Sequence, residues 1–190
     1  MKALLKNKIL FVIIFFAMAV FTGCKDGDGD ADYGFAYVYM PQATASGGLS
    51  NHYNVPSGGG DYTYNFRIDK ENNKLNVILG VIRSGKVSSD GFSVDVLALP
   101  GSTQADASMN EVLLPESMYT LPSNVTVPEG KSNNSFYLSV DINSLKSDVY
   151  TGKKLLLTVG IDKPTKFQLS ETNTETLVII DVDAVREHLK

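Results

Sequence analysis

Tryptophan is absent from this 190-residue chain, cysteine occurs once and histidine twice. The single cysteine excludes a disulfide within one molecule. Two histidines far apart, His52 and His188, leave no metal-binding pair on one element, and no nucleophile-elbow motif accompanies them. Lysine and arginine never cluster. This argues against nucleic-acid binding, because phosphate neutralisation by those residues supplies most of that affinity. Helical periodicity is also missing, with no apolar stripe longer than a turn or two. The one long uncharged apolar run, residues 9–21, falls short of the roughly 20 residues a membrane-spanning helix needs.

That run has the form of an export signal. Lys2, Lys6 and Lys8 make a positive start, the apolar run follows, and small residues come next. An ordinary N-terminal membrane anchor is the alternative. Phe21-Thr22-Gly23-Cys24 resembles the bacterial lipobox, although Phe21 stands where Leu is usual. The resemblance implies cleavage before Cys24 and lipidation of that cysteine. Lipid chains contribute about 0.8 kcal/mol per buried methylene, so two or more hold a protein at a membrane. Lipidation also accounts for the lone cysteine.

Lys25 to Asp32 alternate aspartate with glycine and alanine. Physically this is a hydrated tether extended by like charges. It resembles the acidic export signal that follows the lipidated cysteine of Bacteroidetes surface lipoproteins. A calcium loop of the EF-hand type does not fit, because the twelfth position counted from Asp26 is Tyr37 and not a bidentate Glu. No metal and no cofactor are expected.

Removing residues 1–23 leaves 167 residues, the size of one domain. Such a domain buries roughly 70% of its unfolded surface and needs no disulfide. The expected organisation is a signal peptide at 1–23, a tether at 24–33 and one domain at 34–190. The three signal-peptide lysines are lost, so the mature chain has 14 basic and 21 acidic residues, a formal charge of −7. Tyrosine is its main aromatic residue.

Period-two alternation dominates the rest, and it predicts strands with one buried face. Residues 35–40 begin the series. Tyr62, Tyr64 and Phe66 share a face; so do Leu75, Val77, Leu79 and Val81. Phe92, Val94 and Val96 follow, then Phe136, Leu138, Val140 and Ile142, then Leu155, Leu157, Val159 and Ile161. Residues 177–182 are apolar on both faces, as a fully buried strand is. Shorter strands are expected at 117–121 and 124–127. Turn residues separate them at 57–60, 72–73, 88–91, 100–101 and 129–130. One helical turn is expected within 141–149, and a short, fraying helix at 183–190. The pattern predicts an all-β protein, an antiparallel β-sandwich of about 7–9 strands. A closed barrel is the alternative.

Three segments carry a family resemblance: Leu113-Leu114-Pro115 through Tyr119-Thr120-Leu121-Pro122, then Val125-Thr126-Val127-Pro128-Glu129-Gly130, then Tyr150 and the strand after it. In this order they are similar to the Bacteroidetes domain of unknown function DUF1735. The resemblance covers residues 35–182. It implies an immunoglobulin-like module of surface lipoproteins, often encoded beside outer-membrane glycan-import pairs. On physical grounds, Pro115 and Pro122 bracket a segment that cannot be a central strand, and Gly130 supplies a positive φ for a tight turn.

No catalytic residue is expected. Serines and aspartates are plentiful, but no motif brings a nucleophile, base and orienting group together, and no paired-carboxylate motif suggests glycoside hydrolysis. Three functions remain. The first is a lipid-anchored outer-membrane protein, exposed at the cell surface, that binds polysaccharide or assists a glycan importer. Its candidate contact is Tyr53 beside Asn51, His52 and Asn54, an aromatic platform with hydrogen-bonding neighbours in a loop. The alternative for that patch is a polar loop whose tyrosine caps the core. The second function is a structural or docking module with no ligand site. The third is an adhesin or fimbrial component, which would need a free donor strand.

Overall fold

The computed structural model describes residues 34–59, 64–85 and 88–190, and these form two six-stranded sheets packed as a sandwich. In the first sheet β11 (Gln168–Leu169), β1 (Ala36–Tyr39), β4 (Lys74–Gly85), β9 (Asn133–Asp141) and β7 (Tyr119–Thr120) follow in that order. β3 (Phe66–Asp69) pairs with the first half of β4, on the side where β1 pairs with the second half. In the second sheet the order is β2 (His52–Val55), β12 (Glu175–Asp181), β10 (Lys154–Asp162), β5 (Phe92–Ala98) and β8 (Asn124–Val127). β6 (Glu111–Leu113) pairs with the start of β10.

The alternating residues form the core between the sheets. Leu75, Val77, Leu79 and Val81 of β4 face Leu155, Leu157 and Val159 of β10 within one buried cluster. Burying each such side chain stabilises the fold by roughly 1.5–3 kcal/mol. The same alternation continues to Arg83, which is 9% exposed. Its Nη2 donates to the Ser88 carbonyl oxygen at 2.6 Å, and its guanidinium lies 4.9 Å from the centre of the Phe167 ring.

β3 leaves β4 after Val77 and β1 joins it at Ile82, so among the described residues the edge of β4 between them has no strand partner. Other groups fill this gap. The Ile78 amide donates to the Asn65 carbonyl oxygen at 2.9 Å, and the Gly80 amide to Oε1 of Gln42 at 3.1 Å. Unpaired backbone groups buried in a sheet are costly, which explains the plug.

The structure corrects several expectations. The twelve strands among the described residues exceed the 7–9 expected because β2, β6 and β11, of two to four residues, carry too short an alternation to read. The sheets are not wholly antiparallel: β1–β11, β6–β10 and β2–β12 are parallel pairs. Asn51 to Val55 is not a loop, since residues 52–55 form an edge strand beside β12. Among the described residues the strand expected from Tyr62 starts at Phe66, while Tyr62 itself lies outside them.

The C-terminal helix α2 (Val182–Glu187) is capped and packed against the core. Asp181 caps it by accepting from the Ala184 amide at 3.0 Å, and Val182 and Val185 are fully buried. The turn expected within 141–149 is present as α1 (Ile142–Leu145) and a single 3-10 turn at Asp148–Tyr150. β7 lies at a sheet edge, as its bracketing prolines require, and Gly130 has φ +73°. Among the described residues no helix is long and apolar enough to cross a membrane.

Candidate functional site

Strand alternation turns Leu156 of β10 and Leu177 and Ile179 of β12 away from the core, onto the outer face of the second sheet. Leu156 is nevertheless only 1% exposed and Ile179 8%. The segment after β5 accounts for this by folding back across that face. Thr103 pins it: the Thr158 amide donates to Oγ1 of Thr103 at 2.8 Å, and the two hydroxyls lie 3.0 Å apart.

Beyond Thr103 the segment is closed by its own hydrogen bonds. Asp106 accepts from the Ser108 amide at 2.8 Å and from its hydroxyl at 2.6 Å, capping a 3-10 turn at Ala107–Met109. Its own amide donates to Oε2 of Glu111 at 3.0 Å. The Ser108 hydroxyl and then the Ser108 amide hold the Asp106 carboxyl below the usual carboxylate range.

Between this segment and β2 runs an open groove of about 650 Å³. Its floor is aliphatic, made by Leu156, Leu177 and Ile179. Its rim is polar, with His52 and Asn54 on one side and Gln104, Asp106, Glu111 and Lys154 on the other. No Phe or Tyr ring among the described residues lines it.

Of the four expected contact residues, Asn51 precedes β2 and the other three divide between its two faces. His52 and Asn54 point outward into the groove and are exposed. Tyr53 points inward, packs against the core, and donates its hydroxyl to the Ile78 carbonyl oxygen at 3.2 Å. Asn51 is exposed, with its carbonyl oxygen accepting from the Leu177 amide and the Thr176 hydroxyl, both at 2.9 Å. His188 packs its ring 4.7 Å from Tyr64 and 5.5 Å from Phe66. Among the described residues no group of three His, Cys, Asp or Glu is placed to hold a metal ion. Cys24 and the tether Lys25 to Asp32 lie outside the described residues.

Sequence reading did not find Gln104, Asp106, Glu111 or Lys154. They are single polar residues in unremarkable contexts, brought together by the parallel register that sets Glu111 beside Lys154 and by the bond from the Asp106 amide to Glu111. The readable signal was apolarity on both faces at 177–182, which marks a sheet face that another segment covers.

The model of a family described as "-like, N-terminal domain" matches residues 36–168. Among solved structures, the apo form of the Calx CBD1 domain is 16% identical, covering 77% of this chain and 96% of that one, with a TM-score of 0.46. A protein of unknown function from Bacteroides ovatus is 10% identical, covering 77% of this chain and 52% of that one, with a TM-score of 0.48. A multidomain protein including DUF1735, also from Bacteroides ovatus, is 15% identical and covers 77% and 44%, with a TM-score of 0.42. The chain thus spans about half the length of these two Bacteroides ovatus proteins. No curated protein matches it. Because the family model covers more than half of the chain, the chain belongs to that family of N-terminal domains, of the Bacteroidetes DUF1735 type.

Proposed function

We propose that the chain is a lipid-anchored cell-surface module of an outer-membrane polysaccharide-utilisation system. In this reading it is held through Cys24 and meets polysaccharide in the groove bordered by His52 and Asn54. The observation that carries the ligand class is the aliphatic floor beneath a hydrogen-bonding rim. A pyranose ring presents C–H faces and hydroxyl edges, and such a groove complements both. The anchor rests on the lipobox at 21–24, and surface exposure on the acidic tether that follows.

The test is affinity electrophoresis of the full chain, in detergent, through gels containing polysaccharides. Retardation that is lost in a His52→Ala, Asn54→Ala double variant supports the groove. Retardation unchanged in that variant removes it. For the anchor, Cys24→Ala should abolish labelling by radioactive fatty acid, and persistent labelling overturns that part.

A second reading, a docking module with no ligand site of its own, is favoured by one observation. Among the described residues no Phe or Tyr ring lines the groove, and Tyr53 turns into the core. It predicts that no polysaccharide binds and that the chain co-purifies with outer-membrane glycan-import proteins.

A further inference from the structure

The outer face of the first sheet carries an ordered set of side chains that the proposed function does not use. In the register of the sheet, Arg67 of β3 stands opposite Asn76 of β4, Asn76 opposite Ser139 of β9, and Ser139 opposite Thr120 of β7. The four therefore form one rank across four neighbouring strands, all on the outward side of the alternation that buries Leu75, Val77, Leu138 and Val140. With strands about 4.8 Å apart, the rank is roughly 14 Å long.

Two residues along β9 from Ser139, on the same face, stands Tyr137. It is 37% exposed and lies directly opposite Ile78. Two clefts of about 510 Å³ each meet at its ring, one towards β3 and one towards β7.

The polar groups of this rank are uncommitted. None of the four side chains, nor the Tyr137 hydroxyl, bonds to another protein group among the described residues. The next rank differs. There Lys74 pairs with Asp141 at 3.8 Å, and Asp69 accepts from the amide and side chain of Asn72 at 3.0 and 2.8 Å. The face thus runs from an internally satisfied ionic rank, through a row of free hydrogen-bonding groups, to an apolar strip of Tyr137 and Ile78.

From this arrangement we infer that the sheet face centred on Tyr137 is a second binding site, for an extended chain of neutral hexopyranose units. An aromatic ring takes the C–H face of a pyranose, and the adjoining row of amide, hydroxyl and guanidinium groups takes its hydroxyls. A linear row suits a chain better than a single sugar. Charge selects the neutral class: the cleft beside Arg67 holds Lys70 as a second cation and Asp69 and Glu71 as carboxylates. A uronate therefore meets no net positive field there. The inference shares with the proposed function only the premise that the chain meets polysaccharide, and it lies on the other sheet.

The experiment is affinity electrophoresis of the full chain in detergent, through starch, galactan, mannan and mixed-linkage glucan, with polygalacturonate as the charged comparison. Expected is retardation by a neutral polysaccharide that Tyr137→Ala weakens by about tenfold or more. Tyr137→Phe should keep most of it, and Asn76→Ala with Ser139→Ala should weaken it. Thermal unfolding of the same variants separates loss of binding from loss of fold. If Tyr137→Ala fails to fold, the exposed pair Arg67→Ala, Thr120→Ala replaces it.

Retardation insensitive to these variants but lost in His52→Ala, Asn54→Ala overturns this site and leaves the groove standing. Loss in the Tyr137 variants alone supports this site and removes the groove. Binding of polygalacturonate only, or of no polysaccharide, overturns it.

Discussion

The Tyr53 hydroxyl donates to the Ile78 carbonyl oxygen at 3.2 Å, and this bond ties an edge strand of one sheet to the central strand of the other. Ile78 lies in the gap between β3 and β1, where β4 has no strand neighbour among the described residues. Tyr53→Phe keeps the ring and removes the donor, leaving a carbonyl oxygen short of a partner. The expected loss is about 1 kcal/mol, read as a lower denaturant midpoint with an unchanged slope. A midpoint equal to that of the parent chain would mean that water satisfies the carbonyl.

The same tyrosine makes stability depend on alkaline pH. Burial pushes its hydroxyl pKa up, against the opposing effect of side-chain hydrogen bonds with Asn65 and Gln42. Burial, and then the Glu116 carboxylate, do the same at Tyr119. A tyrosine raised in the folded state releases its proton more readily when unfolded. Its contribution is therefore complete below about pH 10, the ordinary tyrosine value, and is lost as pH rises through the folded value. Thermal midpoints should fall above that pH, and fall less steeply in Tyr53→Phe. Parallel curves for the two proteins would refute the assignment to Tyr53.

How much of this was legible depended on strand length. β4, β9 and β10 run for nine residues or more, and their alternation identified the buried side chains correctly from Leu75 to Ile161. β2 has four residues, set among Asn, Pro and Gly, so its two faces could not be told apart. Tyr53 and His52 then read as neighbours in one patch, although strand geometry sends them to opposite sides. Tyr137 was readable as an outward residue from the alternation of β9. Its alignment beside Asn76, Ser139, Thr120 and Arg67 depends on interstrand register, which no local pattern encodes.

Asp141 ends β9 and caps α1. Its carboxylate accepts from the Ser144 amide at 2.8 Å, lies 3.8 Å from Nζ of Lys74, and receives Nδ2 of Asn73 at 3.4 Å. The Ser144 amide contributes most to holding this carboxyl below its usual range. A lowered carboxyl contributes stability above the ordinary value of about 3.9, and that contribution is lost as pH falls through the folded value. At pH 7, Asp141→Ala should cost about 1 kcal/mol through loss of the cap. As the pH is lowered past 4, the thermal midpoints of variant and parent should converge. A gap that stays constant down to pH 2 would show that the cap acts without its charge.

Arg186 ties the C-terminal helix to α1 and the turn after it. Its Nε donates to the Leu145 carbonyl oxygen at 2.8 Å, Nη2 to that of Ser147 at 2.6 Å, and Nη1 to the Thr151 hydroxyl at 2.8 Å. One planar guanidinium thus serves three acceptors at the end of α1 and in the turn after it, while Val182 and Val185 bury the other side of α2. Lysine carries one ammonium and cannot match this fork. Arg186→Lys should therefore cost about 2 kcal/mol, since hydrogen bonds from charged groups are the stronger kind and the Leu145 and Ser147 carbonyls lose their donor. Amide exchange at Val185 should quicken with that loss and track global unfolding. A helix that merely frayed at the chain end would show fast exchange in the parent protein and no change in the variant, because nothing in the core would depend on it.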